Sequence, residues 1–135
     1  MIIMAVVDDH GGMAFHNRRQ SRDRLLCQRM VEIAGSKGIY MSPYSAPLFE
    51  EEKDAVHAYD DFFQHAGEGE YCFVEDRAIT PIQDAVEKII LFRWNRAYPA
   101  DLYFDMSLDT GWHVTETREF AGSSHEKITE EVYEK

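Results

Sequence analysis

The hydrophobic positions of the chain alternate between continuous apolar runs and apolar residues at helical spacing. Residues 1–7 are continuously apolar and rich in strand-forming side chains, a pattern that predicts a strand buried on both faces of a central sheet. The next periodic segment predicts a helix over 22–34. Ser21 is its expected N-cap, and Asp23 is expected in its first turn, where a negative charge suits the helix dipole.

The later segments continue this alternation of strands and helices. The predicted elements are strands at 38–41, 71–74, 89–92 and 112–120, a short extended piece at 102–104, a helix at 52–65 and a short helix that starts at Thr80 and ends before Lys88. Thr80 is its expected cap, ahead of Pro81. The tail at 127–133 suits a helix face or an alternating strand equally. Together these elements predict an α/β fold with a mixed, mostly parallel sheet, flanking helices and an antiparallel C-terminal edge.

Composition limits the possible binding partners and the cellular location of the chain. The 135 residues suit a single domain over 1–135. A formal net charge of -11 disfavours nucleic acid as a partner, because an acidic surface repels phosphate backbones. No apolar stretch is long enough to span a bilayer, and no signal peptide is visible. Cys27 and Cys72 are expected to be buried free thiols, so the predicted location is the cytoplasm.

Ionisable side chains are concentrated between residues 8 and 24. Five arginines, the first of them Arg18 and the last Arg29, lie within twelve positions. They indicate either a solvated helix entrance or a local anion site within an acidic protein. His10 and His16 lie in the same stretch, and imidazole is the side chain that titrates nearest neutral pH. They are therefore candidate acid and base residues for a metal-free ribonuclease chemistry.

Several short motifs give the chain a resemblance to dihydrofolate reductase, which implies that enzyme's fold. The N-terminal motifs are Ala5-Val6-Val7-Asp8, Gly12-Met13, Asp23 with Leu25, and Ile39-Tyr40-Met41. The C-terminal motifs are Tyr71 to Asp76, Lys88 to Arg93, and Ala100-Asp101-Leu102-Tyr103-Phe104. Compact chains of this pattern are sometimes labelled ribonuclease Z as well. That label fits poorly, since the His-x-His-x-Asp-His cluster of the ribonuclease Z family is absent.

The departures from the family pattern concern its cofactor site. In the family, a strand–helix–strand segment holds the adenosine end of the cofactor. Its place here is residues 44–70, which are too few for the whole segment. We therefore expect this segment to be missing or reduced to one helix. Met41-Ser42-Pro43 replaces Met-Gly-Arg, and Glu75-Asp76 replaces Gly-Gly. Glycines there let backbone N–H groups approach a diphosphate, whereas two carboxylates repel it by on the order of several kcal/mol. We therefore expect no cofactor, no NADPH binding and no reductase activity.

The resemblance places Asp23 at the family's active-site acid, facing the ligand pocket. It places Arg93 where an inward side chain would pair with Asp23. The alternative is that Asp23 only satisfies the helix N-terminus while Arg93 faces solvent.

A separate possibility is a metal site at the sheet edge. The strands at 1–7 and 71–74 are expected to lie side by side, which brings Asp8, Asp9, Glu75 and Asp76 together. Four carboxylates offer oxygen ligands to Mg²⁺ or Ca²⁺, and such a metal serves phosphoester hydrolysis.

Three hypotheses about function follow. The first is a non-reductase binding module with a small anionic or heteroaromatic ligand near Asp23, held by Arg18, Arg19, Arg22 and Arg93. The second is a metal-dependent phosphoester hydrolase or ribonuclease that uses the four carboxylates. The third is a structural protein or homodimer that pairs through the sheet edge exposed by the missing segment.

Overall fold

A computed structural model describes residues 1–135. The main sheet has seven strands in the order β5-β4-β6-β1-β7-β10-β9, and a small second sheet has the order β3-β2-β8. The strands are β1 Ile2–Val7, β2 Gly12–Phe15, β3 Arg18–Arg19, β4 Ile39–Met41, β5 Val56–Ala58, β6 Tyr71–Phe73, β7 Lys88–Arg93, β8 Leu102–Tyr103, β9 His113–Phe120 and β10 Ile128–Glu134.

The central strand is β1, as the apolar run predicts. It pairs in parallel with β6 on one side and with β7 on the other. Because successive side chains of a strand point to opposite faces, Ile2 and Met4 join one apolar core while Ile3, Ala5 and Val7 join the other. Two separate hydrophobic clusters therefore cover the two faces of the sheet.

Helix α1, Arg24–Ala34, covers one of these faces with Leu26, Cys27 and Met30. Its N-cap is Asp23 and not Ser21, because Asp23 has extended backbone and its carboxylate accepts the N–H of Leu26 at 3.1 Å. The predicted cap was therefore two residues early. The helix ends at Gly35, whose φ of 59° lies in the left-handed region that favours glycine.

The segment between β4 and β6 differs from the predicted helix over 52–65. Residues Ala46–Ala55 form 3-10 turns, Val56–Ala58 form β5 parallel to β4, and only Phe62–His65 form a helical turn, α2. The apolar residues of this segment also suit a strand, and pairing with β4 satisfies the backbone there. The segment between β4 and β6 is short, but it retains a strand.

The turn at Thr80–Ala85 is a 3-10 helix without a side-chain cap of its own. The predicted capping role of Thr80 is wrong, since its hydroxyl donates to Asp105 at 2.7 Å. Asp105 also accepts the backbone N–H groups of Ile79 and Thr80. Hydrogen bonds from these groups outweigh burial and lower the pKa of Asp105.

The C-terminal tail is a strand, which settles the ambiguity at 127–133. β10 pairs antiparallel with β7 and with β9, and β9 forms the edge of the sheet. Cys27 and Cys72 are buried and free, as predicted. None of the helices has the length and apolar character needed to cross a bilayer.

Candidate functional site

Asp8 follows β1 at the carboxyl edge of the sheet and is buried. Its carboxylate accepts the N–H groups of His10 and Gly12, both at 2.8 Å, and that of Tyr98 at 3.2 Å. Burial alone would raise its pKa, but these hydrogen bonds and one from Gln20 hold the pKa below the usual value. Asp8 thus holds the turn after β1 together.

Glu75 follows β6 at the same edge and is also buried. Its two oxygens accept from Nε and Nη2 of Arg19 at 3.1 and 2.9 Å, and the Ser45 hydroxyl donates to it at 2.7 Å. Burial lowers the pKa of Arg19, but the bond to Glu75 outweighs it and the net direction is upward. The guanidinium of Arg19 lies 4.7 Å from the centre of the Tyr44 ring. This ion pair joins β3 to the end of β6.

The predicted four-carboxylate metal site does not form. No group of three or more His, Cys, Asp or Glu side chains is placed to hold a metal ion. Asp8 and Glu75 are occupied by the partners just described, Asp76 pairs with Arg77 at 3.0 Å, and Asp9 is exposed. The strands do lie side by side as expected, but each carboxylate has partners of its own.

Asp23 is completely buried and accepts more hydrogen bonds than an N-cap requires. Besides the N–H of Leu26, it accepts those of Ser123 at 3.0 Å and Ser124 at 2.8 Å. Oδ2 of Asp23 lies 3.1 Å from Nδ1 of His125. Burial would raise its pKa, yet these bonds hold the pKa of Asp23 far below the usual value.

Arg93 does not pair with Asp23, and it does not simply face solvent either. Its guanidinium donates to Glu131 and to the hydroxyl of Tyr133, both on β10. Strand alternation explains the difference, since Phe92 and Trp94 belong to the cluster on the α1 face and Arg93 lies between them. The predicted Asp23–Arg93 contact is therefore wrong, and Arg93 is not part of the Asp23 site.

His125 is the residue that sequence reasoning missed. Its ring stacks on Trp94 with centroids 4.2 Å apart. Its Nε2 lies 3.2 Å from the hydroxyl of Ser21 and 3.2 Å from the hydroxyl of Tyr98. His125 lies in the loop between β9 and β10, far from these partners in the chain, so no local spacing indicated it.

The cavity beside Asp23 is small. It has a volume of about 20 Å³, which is room for about one water molecule. Its walls include Ser21, Arg22, Cys27, Phe73 and Trp94. A heteroaromatic ring does not fit there, so the expected ligand position next to Asp23 is filled by the protein's own side chains.

A much larger cleft opens at the neighbouring part of the sheet edge, with a volume of about 570 Å³. It is lined by Ala14, Asn17, Arg18, Tyr44, Glu75, Asp76, Asp101 and Leu102. Strands β2 and β8 supply Ala14 and Leu102, and the loops after β4 and β6 supply Tyr44, Glu75 and Asp76. Arg18 is exposed and forms no ion pair.

The predicted anion-binding arginines have separate roles. Arg19 is taken up by Glu75, Arg18 lines the open cleft, and Arg22 lines the small cavity beside Asp23. Arg29 pairs with Glu130 and Glu32. The arginine cluster of the sequence is therefore not a single anion site.

His10 and His16 lie in different turns and are both exposed. His10 follows β1, whereas His16 and Asn17 form the two-residue loop between β2 and β3, with φ of 50° and 62°. The His16 ring stacks on Phe15 at 3.8 Å. No hydrogen bond joins the two imidazoles, and their roles as acid and base stay a prediction.

No protein-family model and no curated protein matches the chain. Among solved structures, the chain is similar to the dihydrofolate reductase from Enterococcus faecalis in complex with NADP(H) and RAB-propyl. The TM-score is 0.68 at 9% sequence identity, over 98% of this chain and 94% of that one. The order and direction of the strands, together with this match, show that the chain has the dihydrofolate reductase fold.

Proposed function

We propose that the chain is a small-molecule binding module on the dihydrofolate reductase fold, without NADPH-dependent reductase activity. Its ligand is a small heteroaromatic compound that occupies the open cleft between the β2–β3 hairpin and the ends of β4 and β6. The observation that carries the proposal is the contrast in volume between that cleft and the cavity beside Asp23. About 570 Å³ suits a small ligand, while about 20 Å³ does not.

The lining of the cleft supports a ring with N–H donors. Tyr44 is 41% exposed and offers an aromatic surface. Asp101 lines the same cleft and is exposed, so its carboxylate can accept a hydrogen bond from an amino group, whereas the Asp76 carboxylate is already paired with Arg77. Arg18, which has no acidic partner, suits an anionic substituent on the ring.

The same lining argues against a dinucleotide. Glu75 is held at the cleft by Arg19 and Ser45, so it cannot swing aside without losing three hydrogen bonds. Asp76 adds a second carboxylate at the position where the family has a glycine. Because Arg19 and Arg77 are already paired with these carboxylates, a diphosphate in the cleft would lie beside both acidic groups with only Arg18 free to pair with it, which disfavours its binding.

Ligand-dependent thermal unfolding tests this proposal with folate and 2,4-diaminopyrimidine as probes. We expect at least one of them to raise the midpoint of unfolding of the wild-type protein, because a ligand that binds only the folded state stabilises it. The shift should shrink in Arg18→Ala for folate and in Asp101→Asn for the diaminopyrimidine.

Arg24→Ala is the matched control, since Arg24 is exposed and lies outside the cleft. It should respond to the probes as the wild type does. If neither probe changes the unfolding midpoint at millimolar concentration, the heteroaromatic ligand class is wrong.

A further inference from the structure

Three side chains at the start of α1 and in the β9–β10 loop form a chain of hydrogen bonds. The hydroxyl of Ser21 lies 3.2 Å from Nε2 of His125, and Nδ1 of the same ring lies 3.1 Å from Oδ2 of Asp23. We propose that Ser21, His125 and Asp23 form a nucleophilic triad that hydrolyses small carboxylic esters such as acetate esters. This inference does not rest on the ligand proposed for the open cleft.

The hydrogen bonds at the two ring nitrogens of His125 can run in the direction that such a triad needs. Asp23 is an acceptor toward the backbone N–H groups of Leu26, Ser123 and Ser124, so its carboxylate has no proton to donate to His125. The hydrogen of this bond therefore belongs to Nδ1 of His125, and the triad needs the tautomer that carries no hydrogen on Nε2. Nε2 is left with its lone pair directed at the Ser21 hydroxyl, which makes His125 a base for that hydroxyl.

The arrangement is held in place from several sides. The side chains of Asp23 and His125 are 0% and 3% exposed, respectively. Trp94 stacks on the imidazole, and Asp23 is fixed by the helix it caps. Ser21 itself is only half-buried. A rigid acid and base beside a more accessible hydroxyl is the distribution that nucleophilic catalysis requires.

A small cavity next to Ser21 has room for about one water molecule. Gln20 lines the same cavity, and its Oε1 is buried without a hydrogen-bond partner. The amide is not simply reversed, because its Nε2 already donates to Asp8 at 3.0 Å and to the carbonyl of Pro99. The unpaired oxygen therefore needs a donor, and a cavity of about 20 Å³ has room for the water molecule that would donate to it and that the second step of hydrolysis consumes.

The reaction proceeds in two steps. Oγ of Ser21 attacks the ester carbonyl carbon while its proton passes to Nε2 of His125. The bond from that carbon to the leaving alcohol oxygen then breaks, and the alcohol takes the proton from Nε2. Water attacks the acyl-serine by the same route, which releases the carboxylic acid and returns the proton to Ser21.

Tyr98 competes with Ser21 for the base. Its hydroxyl also lies 3.2 Å from Nε2, and the single lone pair of that nitrogen accepts one hydroxyl at a time. Removal of the hydroxyl in Tyr98→Phe leaves Ser21 as the sole donor. The proposal therefore predicts faster acylation of Ser21 in this variant, whereas a purely structural role of the network predicts no gain.

The test combines hydrolysis of p-nitrophenyl acetate with labelling by a fluorophosphonate, in which the serine oxygen displaces fluoride from phosphorus. We expect the wild-type protein to carry the label on Ser21, located by mass spectrometry of its peptides. Ser21→Ala should abolish both signals, and His125→Gln should lower the hydrolysis rate at least ~100-fold. Ser107→Ala, a change at an exposed serine outside the network, should leave both unchanged.

Two results would overturn the triad. One is a folded wild-type protein, verified by circular dichroism, that takes no label on Ser21 at millimolar reagent concentration. The other is labelling that proceeds equally fast in a folded His125→Gln variant, since the hydroxyl would then react without its base. Because the first result concerns the wild type alone, the triad can be overturned even where a variant fails to fold.

Discussion

Nδ1 of His125 lies 3.1 Å from Oδ2 of Asp23, although the two residues are 102 positions apart in the chain. This contact joins the beginning of α1 to the loop before the last strand. The same loop brings the N–H groups of Ser123 and Ser124 to the carboxylate. The resemblance predicts that Asp23 faces a ligand pocket, but here its carboxylate accepts its hydrogen bonds from groups of the same chain.

Gly122 allows this loop to approach Asp23. A Cβ at position 122 would overlap Oδ2 of Asp23 and lie 2.8 Å from its Cγ. Since the carboxylate is fixed by its other hydrogen bonds, we expect Gly122→Ala to lower the free energy of unfolding by about 1–3 kcal/mol. Urea denaturation measures this change.

Gly67→Ala is the matched control for that variant. Its Cβ would meet only the flexible end of Glu70, at 3.3 Å, so stability should change little. Equal stability of Gly122→Ala and wild type would show that the loop is not held tightly against Asp23.

Asp23 also sets a pH dependence of stability. Its pKa is lowered in the folded state, so the carboxylate stabilises the fold at any pH above about 4, the usual pKa of an unfolded aspartate. That stabilisation is lost as the pH falls from about 4 toward the lowered folded value. Asp23→Asn should therefore be less stable than wild type at pH 7, by about 1–3 kcal/mol, and the difference should narrow in acid. A difference that stays constant down to pH 2 would contradict this linkage.

The sequence predicted the parts of the fold that local pattern determines. The continuous apolar run at β1 and the helical spacing at α1 each have only one reasonable interpretation. The segment at 52–65 has two, because Val56, Tyr59 and Phe62 suit a helix by spacing while Val56–Ala58 also suits a strand beside β4. Only the neighbouring strand decides between them, and its position is a property of the tertiary structure.

The site was less predictable because its contacts are long-range. Asp23 could be placed at a pocket from the resemblance, but its partners come from the Gly122–His125 loop, which has no distinctive spacing. Arg93 had two predicted positions, paired with Asp23 or facing solvent, and it instead contacts Glu131 and Tyr133. Alternation along β7 already places Phe92 and Trp94 together on the opposite face. The predicted pairing of the two strands that end at the carboxylates of the sheet edge is confirmed. No local pattern indicated that Arg19 would form an ion pair with Glu75.

The Arg19–Glu75 pair should be important for stability. Its side chains are 23% and 8% exposed, and two hydrogen bonds join them. Glu75→Gln leaves a partly buried guanidinium without its counter-charge, so we expect a loss of about 2–4 kcal/mol in the free energy of unfolding. Thermal or urea denaturation measures it.

The neighbouring Asp76–Arg77 pair provides the comparison. It is more exposed, at 26% and 30%, and Asp76→Asn should cost less than about 1 kcal/mol. An equal effect of the two substitutions would mean that burial of the Glu75 carboxylate contributes little.

Both cysteines should be chemically silent in the folded protein. Burial raises the pKa of Cys27 and that of Cys72 to about 12, so neither is a thiolate near neutral pH. An aromatic disulfide reagent should titrate no thiol at pH 8 in the native protein and two thiols in urea. Rapid reaction of Cys27 in the native state would indicate that the cavity beside Asp23 opens to reagents.

The absence of NADPH binding is the prediction on which the binding-module proposal depends most. In the cleft a diphosphate would lie against Glu75, which is fixed by Arg19 and Ser45, and against Asp76. Arg19 and Arg77 are already paired with these two carboxylates, so Arg18 is the only arginine of the cleft lining left to meet the diphosphate. We expect calorimetric titration with NADPH to give no binding at 100 µM, under conditions where the Enterococcus faecalis dihydrofolate reductase does bind. A dissociation constant in the micromolar range would mean that the cleft accommodates a dinucleotide despite both carboxylates, and reductase activity would again have to be considered.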